Sequence, residues 1–175
     1  MSTQILRPAG RSWLFGDGIT TDELYPGFAM KLPIKEAATH MFHSSRPDWH
    51  DQVEPGDILV AGRNFGMGSS RAVPLLFHEL GVRCLLADYF NSLFLRNCIN
   101  YGLPALAIPG ISAATREGDR IAVDVEQATV HNERTGQTFR GTPYPPFVLE
   151  LITGGGVIGM LERDGYLPVS TSAQS

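Results

Sequence analysis

The chain has 175 residues, 43% of them hydrophobic and 18% charged, with a formal net charge of −4. That composition suits one globular domain with a buried core and excludes a disordered chain. No block of Lys or Arg stands out, which argues against a nucleic-acid surface, and no apolar run reaches the roughly 20 residues of a membrane span. The opening "MSTQILRPAGR" lacks the apolar core of a signal peptide, so a cytoplasmic location is expected.

In chain order, "GDGITTDELYPGF" is a turn-rich opening with Gly, Asp and Pro at short intervals. "KEAATHMFHS" reads as a short helix, and the polar stretch 31–56 is expected to include a mobile loop. The pattern then tightens. "ILVAG" reads as a strand and "AVPLLFHEL" as a helix, with Pro74 tolerated in its first turn and Gly81 as its stop. "VRCLLAD" reads as a strand, "NSLFLRNCIN" as a helix and "LPALAI" as a third strand. Strand, helix, strand, helix, strand implies a parallel α/β layer. "RIAVDV" and "ATVHNE" alternate as antiparallel strands do, with a tight turn at "RTG". "PYPPFVLELITGGGVIGMLE" starts a helix after prolines and breaks it at Gly154 to Gly156. A single domain over residues 1–167 and a loose tail over 168–175 are expected.

The stretch with chemistry in it is "NFGMGSSR", Asn64 to Arg71. It falls between a strand and a helix. Such a turn can aim backbone N–H groups and hydroxyls at one anion. Gly66 and Gly68 let the backbone come close, and Arg71 can grip a carboxylate bidentately. Helix capping is the plainer role for Ser69 and Ser70. The loop is not G-x-G-x-x-G, because Arg71 stands at the third glycine, and no Lys follows as in a P-loop. It is not the Gly-x-Ser-x-Gly elbow of serine hydrolases either.

Other residues read more plainly. Cys84 and Cys98 read as core thiols, and two thiols cannot make a four-cysteine metal or iron–sulfur site. No metal and no cofactor is therefore assigned to this chain. His40, His43 and His50 read as surface histidines, since no carboxylate is clearly placed with them. Asp17 and Asp22 read as turn residues, Asn97 and Cys98 as helix-end packing, and Trp13 and Trp49 as core or interface.

Four blocks in order resemble one family. "ILVAGRNFGMGSSR", "GDGITTDELYPGF", "DYFNSLFLRNCINYGLPAL" and "EGDRIAVDVEQATVHNERTGQTF" are similar to the swivel domain of the aconitase superfamily, and most of all to 3-isopropylmalate dehydratase small subunits. The resemblance spans about residues 12–163. It implies one α/β swivel domain in β/β/α layers, with a mostly parallel sheet, helices and an added antiparallel β-hairpin. It also implies a hydro-lyase that moves water across a carbon–carbon double bond of a 2- or 3-hydroxy di- or tricarboxylic acid. A separate large subunit would carry a [4Fe–4S] cluster, and this chain would bind no cofactor. By the same correspondence Ser69 is the general base, and Ser70, Arg71 and Gly68 meet the substrate. Lys31 falls near the position that discriminates substrates, where a cation suits an additional carboxylate. The isolated chain could self-associate through the face a large subunit would cover.

The sequence departs from the family at two places. Met67 stands where the family has Cys, and Ala72-Val73 where it has Glu-His. The lost acid could have oriented Arg71. These departures keep other substrates open: a methyl- or dimethylmalate, or a homoaconitate-type acid. Two other readings stand beside the first. One is a self-sufficient anion- or nucleotide-binding module. The other is a paralogue that kept the fold and lost the activity.

Overall fold

The computed structural model describes residues 5–169. The expected tail falls mostly outside the described residues; of it, Pro168 and Val169 are described and exposed. Seven strands form one sheet in the order β4-β3-β2-β1-β5-β6-β7. Strands β1 (Ala9–Leu14), β2 (Ile58–Ala61), β3 (Cys84–Ala87) and β4 (Ala105–Ala107) pair in parallel, with Leu59 opposite Trp13 and Leu85. Strands β5 (Arg120–Asp124), β6 (Thr129–Asn132) and β7 (Gln137–Arg140) continue it antiparallel from the other edge of β1. The expected hairpin thus has a third strand. β1 sits at the seam although "AGRSWL" carries Gly, Arg and Ser. Pairing on both edges makes it a strand where local propensity does not.

Alternate residues of each parallel strand face opposite cores. Leu59, Ala61, Leu85 and Ala87 join one, with Trp49, Phe77 and Phe94. Ile58, Val60, Cys84 and Leu86 join the other, against Ile121, Val123 and Val130 of the antiparallel strands. The sheet therefore curls so that its antiparallel part covers one face of its parallel part. Helices α4 (Val73–Glu79) and α5 (Ser92–Asn100) lie in the crossovers, as their apolar spacing predicts. Helices α7 (Pro146–Thr153) and α8 (Gly156–Arg163) divide at Gly154-Gly155, with Gly155 at φ 80°.

The stretch 31–56 keeps its expected short helix but is anchored where a mobile loop was expected. It holds helices α2 (Ile34–Ala38) and α3 (Trp49–Gln52), and it packs into the core. Phe42 stacks on Phe15 at 4.1 Å, and Trp49 meets Phe15, Phe42 and Phe77 edge-on. Polar residues flank these aromatics, so composition alone hides the anchor. A short α6 (Ile111–Ala114) buries Ile111 in the second core. No helix among the described residues is long and apolar enough to cross a membrane.

Candidate active site

The glycine loop leaves the carboxyl end of β2, the end where open α/β sheets bind ligands. Two segments hold it. On one side the Gly66 N–H donates to the Ile19 carbonyl and the Thr21 N–H to the Met67 carbonyl, both at 2.8 Å. On the other side Phe65 donates to the Tyr89 carbonyl at 3.2 Å and receives the Asn91 N–H at 2.9 Å. The turn before the site is a capping box, in which Thr20 and Glu23 bond each other's backbone N–H around α1 (Thr21–Leu24). Asp17 accepts the Arg63 N–H at 2.7 Å, as a turn aspartate does.

Both loop glycines are required by geometry. Gly66 has φ 83° and Gly68 φ 121°, a region that favours glycine. A Cβ on Gly66 would strike the Phe94 ring, and one on Gly68 would lie 2.5 Å from Thr21 Oγ1. Ser69 and Ser70 are exposed. They do not cap a helix: α4 begins at Val73, with Ala72 at its N-cap and no side-chain cap bond. The loop itself, rather than a helix end, presents the two hydroxyls.

Arg71 turns inward. Its side chain is 12% exposed, and Nη2 reaches Asp22 Oδ1 at 2.5 Å. Nη1 donates to the Tyr25 carbonyl at 2.5 Å and to the Thr21 carbonyl at 3.4 Å. A guanidinium has five N–H groups, so the Nε–H and the second Nη2–H remain to meet a carboxylate. The acid missing after Arg71 thus has a counterpart 49 positions upstream in Asp22. Asn97 of α5 donates its side-chain N–H to the Arg71 carbonyl and so supports the loop from below. Asn91 caps α5 by accepting the Leu93 N–H at 3.1 Å.

Thr21, Gly66, Gly68, Ser69, Ser70, Arg71, Leu93, Phe94 and Asn97 line one shallow cleft. Four of the five predicted site residues meet there. Lys31 does not: it ends a 3₁₀ helix, Gly27–Lys31, exposed and outside the cleft lining. Sequence reasoning missed Thr21, Leu93 and Phe94. The Thr-x-x-Glu box at Thr20 was the legible signal for the first; nothing local signals the other two.

The remaining candidates are structural. His40 and His43 pack their rings edge-on against Phe28, at 5.1 and 5.5 Å. His50 lies 3.2 Å from Asp51. Trp13 donates to Asp57 at 2.7 Å within the core. Cys84 and Cys98 are fully buried, and burial pushes both thiols up.

Fold and loop together define an α/β domain that presents two exposed serine hydroxyls and a pinned arginine in one cleft. The family model described as the aconitase C-terminal domain matches residues 24–110. A 3-isopropylmalate dehydratase small subunit of Methanopyrus kandleri is 36% identical over 89% of this chain and 93% of its own. One from Thermotoga maritima is 38% identical over 91% and 97%. An isopropylmalate/citramalate isomerase small subunit of Methanocaldococcus jannaschii is 37% identical over 88% and 93%. A crystal structure of 3-isopropylmalate dehydratase from that last organism superimposes with a TM-score of 0.83 at 27% identity, covering 90% of this chain and 95% of the other. The chain belongs to the 3-isopropylmalate dehydratase small-subunit family, built on the aconitase C-terminal domain.

Proposed function

We propose that the chain is the small subunit of a hydro-lyase for hydroxy di- or tricarboxylic acids, with 3-isopropylmalate as first substrate, and that it acts in the cytoplasm. The observation that carries this is the pairing of exposed Ser69 and Ser70 with an Arg71 whose guanidinium is pinned by Asp22 and two carbonyls. The names of the relatives support the substrate class.

In this scheme the Ser69 oxygen takes the proton from the carbon beside a carboxylate, the C–H electron pair forms the double bond, and the hydroxyl on the adjacent carbon leaves as water once protonated. Charge grows on that substrate as the proton leaves. Ser70, the Gly68 backbone and the two uncommitted Arg71 N–H groups hold the carboxylate. A serine hydroxyl is a very weak acid in water, so its role as an alkoxide base needs a site that strongly stabilises the alkoxide. Arg71 contributes by proximity and fixed orientation.

A [4Fe–4S] cluster does not fit this chain. Its two thiols are fully buried, one on a strand and one on a helix, and burial keeps them protonated. The cluster would belong to a large subunit, and activity would require both chains. Exposed Met67, Tyr89 and Leu93 beside the loop offer an apolar rim for that partner, and the same rim would let the isolated chain pair with itself.

A second substrate reading has its own support. One relative is named for citramalate as well as isopropylmalate. Met67 and Ala72-Val73 differ from the family beside the cleft, so a methyl-substituted malate belongs in the test. Lys31 keeps its proposed role in discriminating substrates only if the partner brings it to the ligand.

The test is reconstitution. The chain is co-expressed with a candidate large subunit, purified anaerobically and assayed by alkene absorbance on isopropylmalate, citramalate, dimethylmalate and homocitrate. Turnover on one acid is expected. A stable coloured complex that dehydrates none of them would favour the inactive paralogue. Failure to assemble, with nucleotide binding by the chain alone, would favour the binding module.

A further inference from the structure

Four buried side-chain polar atoms have no hydrogen-bond partner among the described residues: Arg11 Nε, Trp49 Nε1, Thr115 Oγ1 and Thr21 Oγ1. Thr21 alone of these residues lines the cleft. It is 2% exposed. A buried hydroxyl without a partner is destabilising, and native chains keep few of them. Its own backbone cannot serve it: the Thr21 N–H is given to Met67, and the Thr21 carbonyl receives the Tyr25 N–H at 2.8 Å.

The direction of the hydroxyl is the second observation. It points at Gly68, so closely that any Cβ there would lie 2.5 Å from it. It therefore lies against the backbone that leads into Ser69. Gly68 and Thr21 form a matched pair, one giving up its side chain where the other places an oxygen.

We propose that Thr21 is a positioning residue for Ser69. Its Oγ1 accepts the Ser69 backbone N–H once the chain is seated on its large subunit. That bond fixes the direction in which the Ser69 hydroxyl projects. Thr21 touches no reacting atom; it acts through Ser69, so the inference rests on the role given to Ser69 above. The hydroxyl stays unpaired in the free chain and becomes paired in the working enzyme.

The test compares Thr21→Val, which keeps the shape and removes the oxygen, with Thr21→Ser, which keeps the oxygen. Three measurements are made. In the assembled enzyme, with 3-isopropylmalate, Thr21→Val should lower kcat about tenfold and move KM less than about twofold, the scale of one hydrogen bond. Thr21→Ser should restore kcat. Amide hydrogen exchange of residues 66–71 in the assembled complex should be faster in Thr21→Val than in wild type. In the isolated chain Thr21→Val should melt at or above the wild-type temperature, because a hydroxyl without a partner gives way to a methyl. Wild-type kcat and wild-type exchange in Thr21→Val would overturn the proposal. So would a fall in the melting temperature of the isolated chain that Thr21→Ser repairs, since that marks a hydroxyl bonded within the fold. If wild type itself turns over no acid, the hydro-lyase reading fails, and the exchange comparison still decides Thr21.

Discussion

The two ends of the sheet treat their polar groups in opposite ways. At the antiparallel end, Asp119 accepts from Arg134 Nε at 2.6 Å, Asn132 Nδ2 at 2.8 Å and the Arg116 N–H at 2.9 Å. Asn132 is fully buried, and its own oxygen takes the Arg134 N–H at 2.9 Å. The charged groups of that corner, Asp119 and Arg134, are paired, and only the neighbouring Thr115 hydroxyl there is buried without a partner among the described residues. At the carboxyl end of β2, Ser69 and Ser70 face outward, Arg71 keeps two N–H groups uncommitted, and Thr21 hides a hydroxyl with nothing to bond. Paired charges hold a turn in place. A buried hydroxyl without a partner and uncommitted guanidinium N–H groups leave donors and acceptors open, which lowers stability.

The contrast can be broken by substitution. The largest effect should come from Ser69→Ala in the assembled enzyme. Its kcat should fall on the order of 10²–10³-fold or more, the usual scale for a lost base or preorganised group. The complex should still form, which size-exclusion chromatography checks; near-normal turnover would remove Ser69 from the chemistry. Next comes Arg71→Lys. One ammonium cannot span Asp22, Tyr25 and a carboxylate together, so KM should rise about tenfold or more in steady-state kinetics. Third, Gly66→Ala should destabilise the isolated chain by about 1–3 kcal/mol in urea melts. The change forces a Cβ into the Phe94 ring at a positive φ.

The smallest effect sharpens the other half of the contrast. The Arg134 hydrogen bond, with the Asn132 and Arg116 donors, holds the Asp119 carboxyl down at about 2. An unfolded aspartate titrates near about 3.9. The folded chain therefore favours the charged form. That contribution is full above about pH 4 and drains away as pH falls toward about 2. Asp119→Asn should flatten this part of the acid slope in melts between about pH 5 and 2. An unchanged slope would show that the corner is held by other bonds.

Much of this was legible from the chain alone, for identifiable reasons. The run from Ile58 to Ala107 alternates buried strands with helices of clear apolar spacing, and Gly81 stops a helix as expected. β1 was not legible, because Gly10, Arg11 and Ser12 are poor strand residues, and only pairing with β2 and β5 makes them one. In the stretch 31–56 the short helix was legible, but the anchoring of the rest was not, because Met41, Phe42 and Trp49 are separated by polar residues, yet all three are buried. The site divides the same way. The motif named four residues that share the cleft, Gly68, Ser69, Ser70 and Arg71. It could not give Asp22 or Thr21 as their neighbours, because those contacts cross almost 50 positions of chain and depend on how α1 packs under the loop.

The seam at β1 also sets an order of events while the chain is being made. Arg11 pairs with Arg120 across the sheet, so the two edges of β1 find partners at very different times. β2 reaches one edge early. The strand for the other edge is translated about 110 residues later, on the order of 5–20 s behind at ordinary elongation rates. Until then that edge is an open template for any extended segment nearby. Gly10 and Arg11, so unhelpful to strand prediction, stand on that edge. In the finished fold the same two residues serve the other neighbour: a Cβ on Gly10 would strike the Gly56 carbonyl, and Arg11 pairs with Asp57 at 2.7 Å.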